Sequence, residues 1–308
     1  MLLLVLAVGG AYMYSLVIEG LLRRTPKLNL AGAGGKTLNF LLVGSDSREG
    51  LSDPEDQARF GSVGGKRADT IILAQLVPGE ERGVLVHFPR DLYVTVHGDG
   101  RQFQSKINAA YGYGPQSVID TVGNLTQLPI HHYMEIDIRG FRAMVNAVDG
   151  IDVELDGPLY DSTLNFRLPK GKSHLDGNKA LSFVRARYAT PDGDFGRIKR
   201  QQQFMKAVMQ KVLRPAIFTK PTQVDRLARS FADNVTVDQN FNMRDLLSFA
   251  QSFRQTPHVA TVSVPGYAAG RGGQSVVLLR DGEAQTLFAA LRDGNPPAPA
   301  PGATQAAG

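Results

Sequence analysis

The chain has no cysteine and no tryptophan among its 308 residues. Without a thiol there is no disulfide framework, no cysteine nucleophile and no thiolate zinc site. Chemistry must therefore rest on oxygen and nitrogen side chains. Histidine is scarce, six in all, with two adjacent at His131 and His132. Neighbours on a strand point to opposite faces, so this pair is not read as a metal site. The formal charge is +5 and the isoelectric point near 9.4, which suits nucleic acid, an anionic membrane surface or phosphorylated ligands. No nucleic-acid recognition motif and no interleaving of aromatic with basic residues accompany it, so nucleic acid is not expected as a partner. Hydrophobic residues at 43% can bury a sizeable core.

One long apolar run is present. Met1 to Ile18 is almost wholly apolar, and Leu21 and Leu22 extend it to Arg23 and Arg24. About 20 such residues span a bilayer, so residues 1–22 are expected to form a transmembrane signal anchor at the cell membrane, with the rest outside the cytoplasm. The two arginines oppose that orientation, because basic residues concentrate on the inner side. Residues 23–37 read as a linker, carrying Pro26, Gly32, Gly34 and Gly35. Its GGKT ending is not a phosphate-binding loop, since the position six before Lys36 is Leu30 rather than glycine. Residues 294–308 are a Pro/Ala-rich tail, expected to be disordered.

Between them the pattern is that of one α/β domain, residues 38–293. Leu38 to Gly44 is a short continuous apolar run, the signature of a strand buried on both faces; Ile71 to Val77 reads as another buried strand and Val84 to Phe88 as a third strand. Helical spacing recurs over Pro115–Leu125, Phe141–Val148, Asp176–Phe183, Thr222–Ala232, Met243–Phe253 and Gly282–Arg292. The first strand delivers Ser45-Asp46-Ser47-Arg48 at its carboxyl end, where open α/β sheets place their ligands. Arg67 and Asp69 precede the second strand, and Arg90 follows the third. Acid–arginine pairs at strand ends serve either mutual neutralisation or, through their oxygens, a hard cation such as Mg2+.

Phe183 to Gln201, FVRARYATPDGDFGRIKRQ, holds three more arginines. If Phe183 to Tyr188 is extended, Arg185 and Arg187 share a face. From Arg197 the spacing turns helical, and Arg197 and Gln201 fall on the apolar side of that helix's first turns. A cation on an apolar stripe, near the positive end of a helix dipole, calls for an anion. Guanidinium forks match phosphate oxygens in pairs, so the three arginines read as a diphosphate clamp or as salt bridges to Asp192 and Asp194.

With NFLLVGSDSR, RADTI, FPRD, KINAAYGYG and FVRARY followed by DFGRIKRQQ in this order, the chain resembles the LytR-CpsA-Psr family of cell-wall enzymes, over a motif core of residues 38–215. The resemblance implies a twisted central mixed sheet flanked by helices, with a long apolar pocket for a lipid. It implies a membrane-anchored phosphotransferase that moves a glycopolymer from a polyprenyl-diphosphate carrier to peptidoglycan, at the muramic acid C6 hydroxyl. Carried over residue by residue, Asp46 and Asp69 match acids tied to Mg2+ (or Mn2+) and acceptor activation. Arg67, Arg90, Arg185, Arg187 and Arg197 match diphosphate-binding arginines, with Gln201 beside them. Arg48 and Lys106 match positions near the head group. The insertion between Arg48 and Arg67 is longer than the pattern, which bears on the role of Arg48. Two related readings stand beside this one: a non-catalytic binder of polyprenyl phosphate, and a polyprenyl-diphosphate hydrolase.

Overall fold

The computed structural model describes residues 17–32, 35–45, 68–77, 82–186, 194–212, 220–242 and 260–295. A two-residue strand, β1 (Arg23–Arg24), precedes the central strands β2 (Leu38–Ser45), β3 (Ala68–Val77) and β4 (Arg82–Phe88). A hairpin of β5 (Tyr93–Gly98) and β6 (Arg101–Lys106) leads through a 3-10 segment, Ile107–Tyr113, into α1 (Pro115–Thr126). Strand β7 (His132–Ile136) passes directly to α2 (Ile138–Ala147). Four short strands follow: β8 (Ile151–Leu155), β9 (Leu159–Asp161), β10 (Phe166–Leu168) and β11 (Gly171–Leu175). Then come α3 (Gly177–Arg185), α4 (Asp194–Val212), α5 (Pro221–Asn234) and β12 (Val235–Val237). The described chain closes with β13 (Ala260–Ser263), the hairpin β14 (Gly266–Arg271) to β15 (Gln274–Leu279), and α6 (Asp281–Arg292).

Among the described residues seven strands make one mixed sheet in the order β1-β12-β7-β2-β3-β4-β13. β2 and β4 are antiparallel to β3, while β7 runs parallel to β2. Helices cover both faces, which is why the central strands read as unbroken apolar runs. On one face Leu41, Val43, Ile71, Leu73 and Val86 share a core with Val118 of α1 and Phe288 of α6. On the other, Phe40, Ile72, Leu85 and Met134 meet Ala232 and Phe231 of α5. A third cluster ties α2, α3 and α4 to the short strands through Val145, Phe183 and Phe204.

The helices of this second face start where polar caps allow. Asp137 accepts from the Gly140 amide at 2.6 Å to open α2, and Asp176 from the Lys179 amide at 2.9 Å to open α3. Gly150 ends the α2 turn at φ +71°, and a Cβ there would lie 2.8 Å from the Leu175 carbonyl oxygen. Glycine at this place therefore has a double cause, backbone conformation and close approach.

The extended conformation considered for Phe183–Tyr188 does not hold at its start. Residues through Arg185 complete α3, Ala186 alone of the next residues is extended and described, and Arg187 lies outside the described residues. The helix prevails because Asp176 caps it and Ala180, Leu181 and Phe183 are buried at helical spacing. Part of the segment read as a linker contributes to the sheet: Arg23 and Arg24 pair in parallel with Thr236 and Val237. The Arg24 guanidinium donates to the carbonyl oxygens of Asp238 at 3.0 Å and Phe241 at 2.9 Å. Ile18 and Leu22 are buried in the second core cluster. Residues 1–16 of the expected anchor, the expected helix over 243–253 and residues 296–308 of the tail lie outside the described residues. Among the described residues no helix is long and apolar enough to cross a membrane.

Candidate active site

A cavity of about 430 Å3 lies between the second face of the sheet and helices α2 to α5. Side chains alternate along strands, so Leu42, Ile72 and Met134 all point to this face and form its floor. Phe141 and Met144 of α2, Leu181 and Val184 of α3, and Phe204 and Met205 of α4 close it from above. Such a chamber takes an apolar ligand, because burial of hydrocarbon contributes about 0.8 kcal/mol per methylene.

Polar groups border the same cavity, and the topology explains several of them. β2, β4 and β7 end at the edge where β3 begins, so Ser45, Asp69, Arg90, Glu135 and Asp137 are brought to one rim. Asp69 accepts a hydrogen bond from Arg90 Nη1 at 2.7 Å. Arg185 at the last turn of α3, and Arg197 and Gln201 on α4, also line the cavity. Gln201 donates to the Val184 carbonyl at 3.3 Å, and Arg200 donates to the Ala186 carbonyl, so α4 is tied to the end of α3. Arg197 is only 7% exposed. A guanidinium held that deep strongly favours an anion beside it.

The structure therefore brings together Asp69, Arg90, Arg185, Arg197 and Gln201 of the residues singled out in the sequence. Lys106 is not on the cavity wall; its ammonium meets Asp91 at 3.0 Å, and Asp91 in turn meets Arg90 Nε at 3.4 Å. Asp46, Arg48, Arg67 and Arg187 lie outside the described residues.

Two features escaped the sequence reading. Glu135 on the rim accepts hydrogen bonds from both Tyr111 and Tyr133, the latter at 2.9 Å. Burial, and then the Glu135 carboxylate, push the Tyr133 hydroxyl well above its ordinary value, so it stays a donor. This link fixes the 3-10 segment that follows Lys106 against β7. The second is His87, a polar residue in the apolar run VLVHF, whose ring borders the cavity. A lone histidine inside an apolar strand was the available signal.

His131 and His132 have structural partners. His131 Nδ1 accepts from the Asn39 amide at 3.0 Å, and His132 Nδ1 lies 3.1 Å from Asp238 Oδ2. Among the described residues no three His, Cys, Asp or Glu side chains cluster to hold a metal ion. Burial tends to raise the Asp238 carboxyl, but hydrogen bonds from His132 and the Tyr133 and Asn240 amides outweigh it and hold the group low.

Acid sensitivity follows from the buried histidines. Burial lowers His87 to about 4, and burial with the neighbouring His132 lowers His131. An unfolded histidine titrates near 6.5, so between there and about pH 4 the unfolded chain binds the extra proton. Stability is thus expected to fall as pH drops through this window, by up to about 3 kcal/mol from His87. Urea denaturation at pH 7 and pH 4.5 measures it, and His87→Leu is expected to reduce the loss.

The LytR_cpsA_psr family model matches residues 20–293, and the chain belongs to that family. It is 35% identical over 87% of its length to the "probable cell wall biosynthesis protein LcpB" of Corynebacterium glutamicum, covering 64% of that relative. It is 36% identical over 65% of its length to the polyisoprenyl-teichoic acid–peptidoglycan teichoic acid transferase TagU of Enterococcus faecalis, covering 63% of it. The chain thus spans under two thirds of these curated relatives. The crystal structure of Bacillus subtilis TagV superimposes with a TM-score of 0.68 at 26% identity, over 85% of this chain and 98% of that one.

Proposed function

We propose that the protein transfers a glycopolymer from a polyprenyl-diphosphate carrier to a peptidoglycan hydroxyl, the muramic acid C6 hydroxyl, and releases polyprenyl phosphate. The observation that carries this reading is one cavity with an apolar interior and a bordering set of arginines, Arg90, Arg185 and Arg197. A polyprenyl chain matches the interior and a diphosphate matches the guanidinium forks. The named activity of TagU, teichoic acid transfer to peptidoglycan, agrees with it.

In the proposed reaction the acceptor oxygen attacks the sugar-bearing phosphorus in line. The bond from that phosphorus to the bridging oxygen breaks, and polyprenyl phosphate departs with the electron pair. A diphosphate already offers a good leaving group, so positioning and neutralisation of charge dominate the rate. Arg90, Arg185 and Arg197 provide both. Asp69, or Asp46, takes the proton from the acceptor hydroxyl. The 2.7 Å contact between Arg90 and Asp69 supports this role, since the carboxylate would stand beside a guanidinium that holds the diphosphate.

Asp69 offers one hard oxygen donor on the cavity border, and Mg2+ or Mn2+ is commonly held by one or two carboxylates together with substrate phosphates. With Asp46 it would hold the ion, which supplies further neutralisation of the diphosphate. The apolar residues before Val17 would anchor the chain in the membrane, with the cavity facing the cell-wall side, since Ile18 and Leu22 already belong to the domain core. Transfer by the full chain is expected to stop in chelator and to return with added Mg2+, followed as product mass. Donor binding without transfer, indifferent to chelator, would favour the non-catalytic lipid binder.

A further inference from the structure

Val84, Val86 and Phe88 of β4 pack with α1 and α6, so Leu85 and His87 point to the cavity side. His87 is 3% exposed, and its Nε2 has no hydrogen-bond partner among the described residues. Around it the cavity floor is apolar, made by residues such as Leu42, Ile72 and Met134. A buried ring nitrogen left unmet is costly, and each such atom in a folded protein calls for an explanation. A ligand that carries its own polar atom into the cavity supplies one.

The position of the ring narrows the class of ligand. His87 is the last residue but one of β4, and Arg90 stands in the turn that follows, so the ring lies just inside the rim and both residues border the cavity. A lipid whose diphosphate engages the rim guanidinium groups and whose tail fills the interior has its lipid-proximal phosphate at this boundary. We propose that His87 Nε2 donates a hydrogen bond to the lipid-proximal phosphate of a bound polyprenyl phosphate or diphosphate. His87 is then a specificity contact, distinguishing a phosphorylated lipid from the free alcohol. Burial keeps the unliganded ring neutral, with its pKa near 4. In the tautomer with the proton on Nε2 it presents one N–H. This inference rests on the polyprenyl-phosphate reading of the cavity.

The test uses the full chain in detergent, with geranylgeranyl phosphate, geranylgeraniol and inorganic pyrophosphate as probes. Calorimetry is expected to show His87→Leu weakening geranylgeranyl phosphate about tenfold or more. The same variant should change geranylgeraniol affinity less than about twofold, and pyrophosphate affinity equally little, because that small ion is held at the rim alone. His87→Gln, which keeps a donor, should stay within about threefold of wild type for all three. In wild-type protein labelled with 15N-histidine, geranylgeranyl phosphate should shift the His87 signals and geranylgeraniol should not, a readout independent of any variant's folding. Equal loss of phosphate and alcohol binding, or unchanged phosphate binding in His87→Leu, would overturn the assignment while leaving the lipid site intact. Failure of wild-type protein to bind geranylgeranyl phosphate at all would remove the polyprenyl reading and this inference together.

Discussion

Arg197→Ala is expected to lower kcat/KM for glycopolymer transfer at least 100-fold. Arg197 stands in the first turns of α4, nearly buried, on the wall of the cavity that also holds Arg90 and Arg185. A preorganised donor aimed at charge that develops in the transition state is worth about 100- to 1,000-fold when removed, because the dry site neither screens it nor has to reorganise. Arg197→Lys should recover only part of the loss. It keeps the charge but not the planar fork that meets two phosphate oxygens at once. Circular dichroism shows whether each variant is folded, and transfer is read by product mass. An Arg197→Ala protein that is folded and retains more than a tenth of wild-type efficiency would mean that this arginine serves the packing of α4 against α3 instead.

A cavity filled by larger side chains should abolish use of the lipid-linked donor and spare its head group. Met144 and Met205 face the cavity from α2 and α4 and are only partly buried, so they can grow into it. The double variant Met144→Trp with Met205→Trp removes space that the tail needs. Excluding four carbons from burial costs about 3 kcal/mol, more than a 100-fold change in affinity. Titration with a prenyl diphosphate should show that loss, while inorganic pyrophosphate should bind within about twofold of wild type. Equal affinity for the prenyl ligand in wild type and variant would place the lipid somewhere other than this cavity.

Local patterning made much of the sheet legible. LNFLLVG is apolar at nearly every position because β2 is covered on both faces, and no other placement suits such a run. The α4 stripe was equally plain, since Arg197, Gln201 and Met205 recur every four residues and all three border the cavity. The helix over Asp176–Phe183 is legible, but its end is not: FVRARY alternates like a strand, whereas α3 runs on to Arg185. β1 was hidden for a different reason. Two exposed arginines carry no strand signal of their own, and their pairing with Thr236 and Val237 is a contact across 213 residues. The rim was partly legible, since Asp69 and Arg90 follow from motif order. Glu135 was not, because its role depends on Tyr111 and Tyr133 reaching it from separate elements.

The identity of the released lipid tests the central claim most directly. The full chain would be incubated with a polyprenyl-diphosphate glycan and peptidoglycan fragments, and both products followed by mass. Attack at the sugar-bearing phosphorus predicts polyprenyl monophosphate together with a fragment that has gained the glycan and one phosphate as a phosphodiester. Polyprenyl diphosphate released with a fragment that has gained the glycan alone would contradict the account, because the bond broken would then be at the sugar carbon.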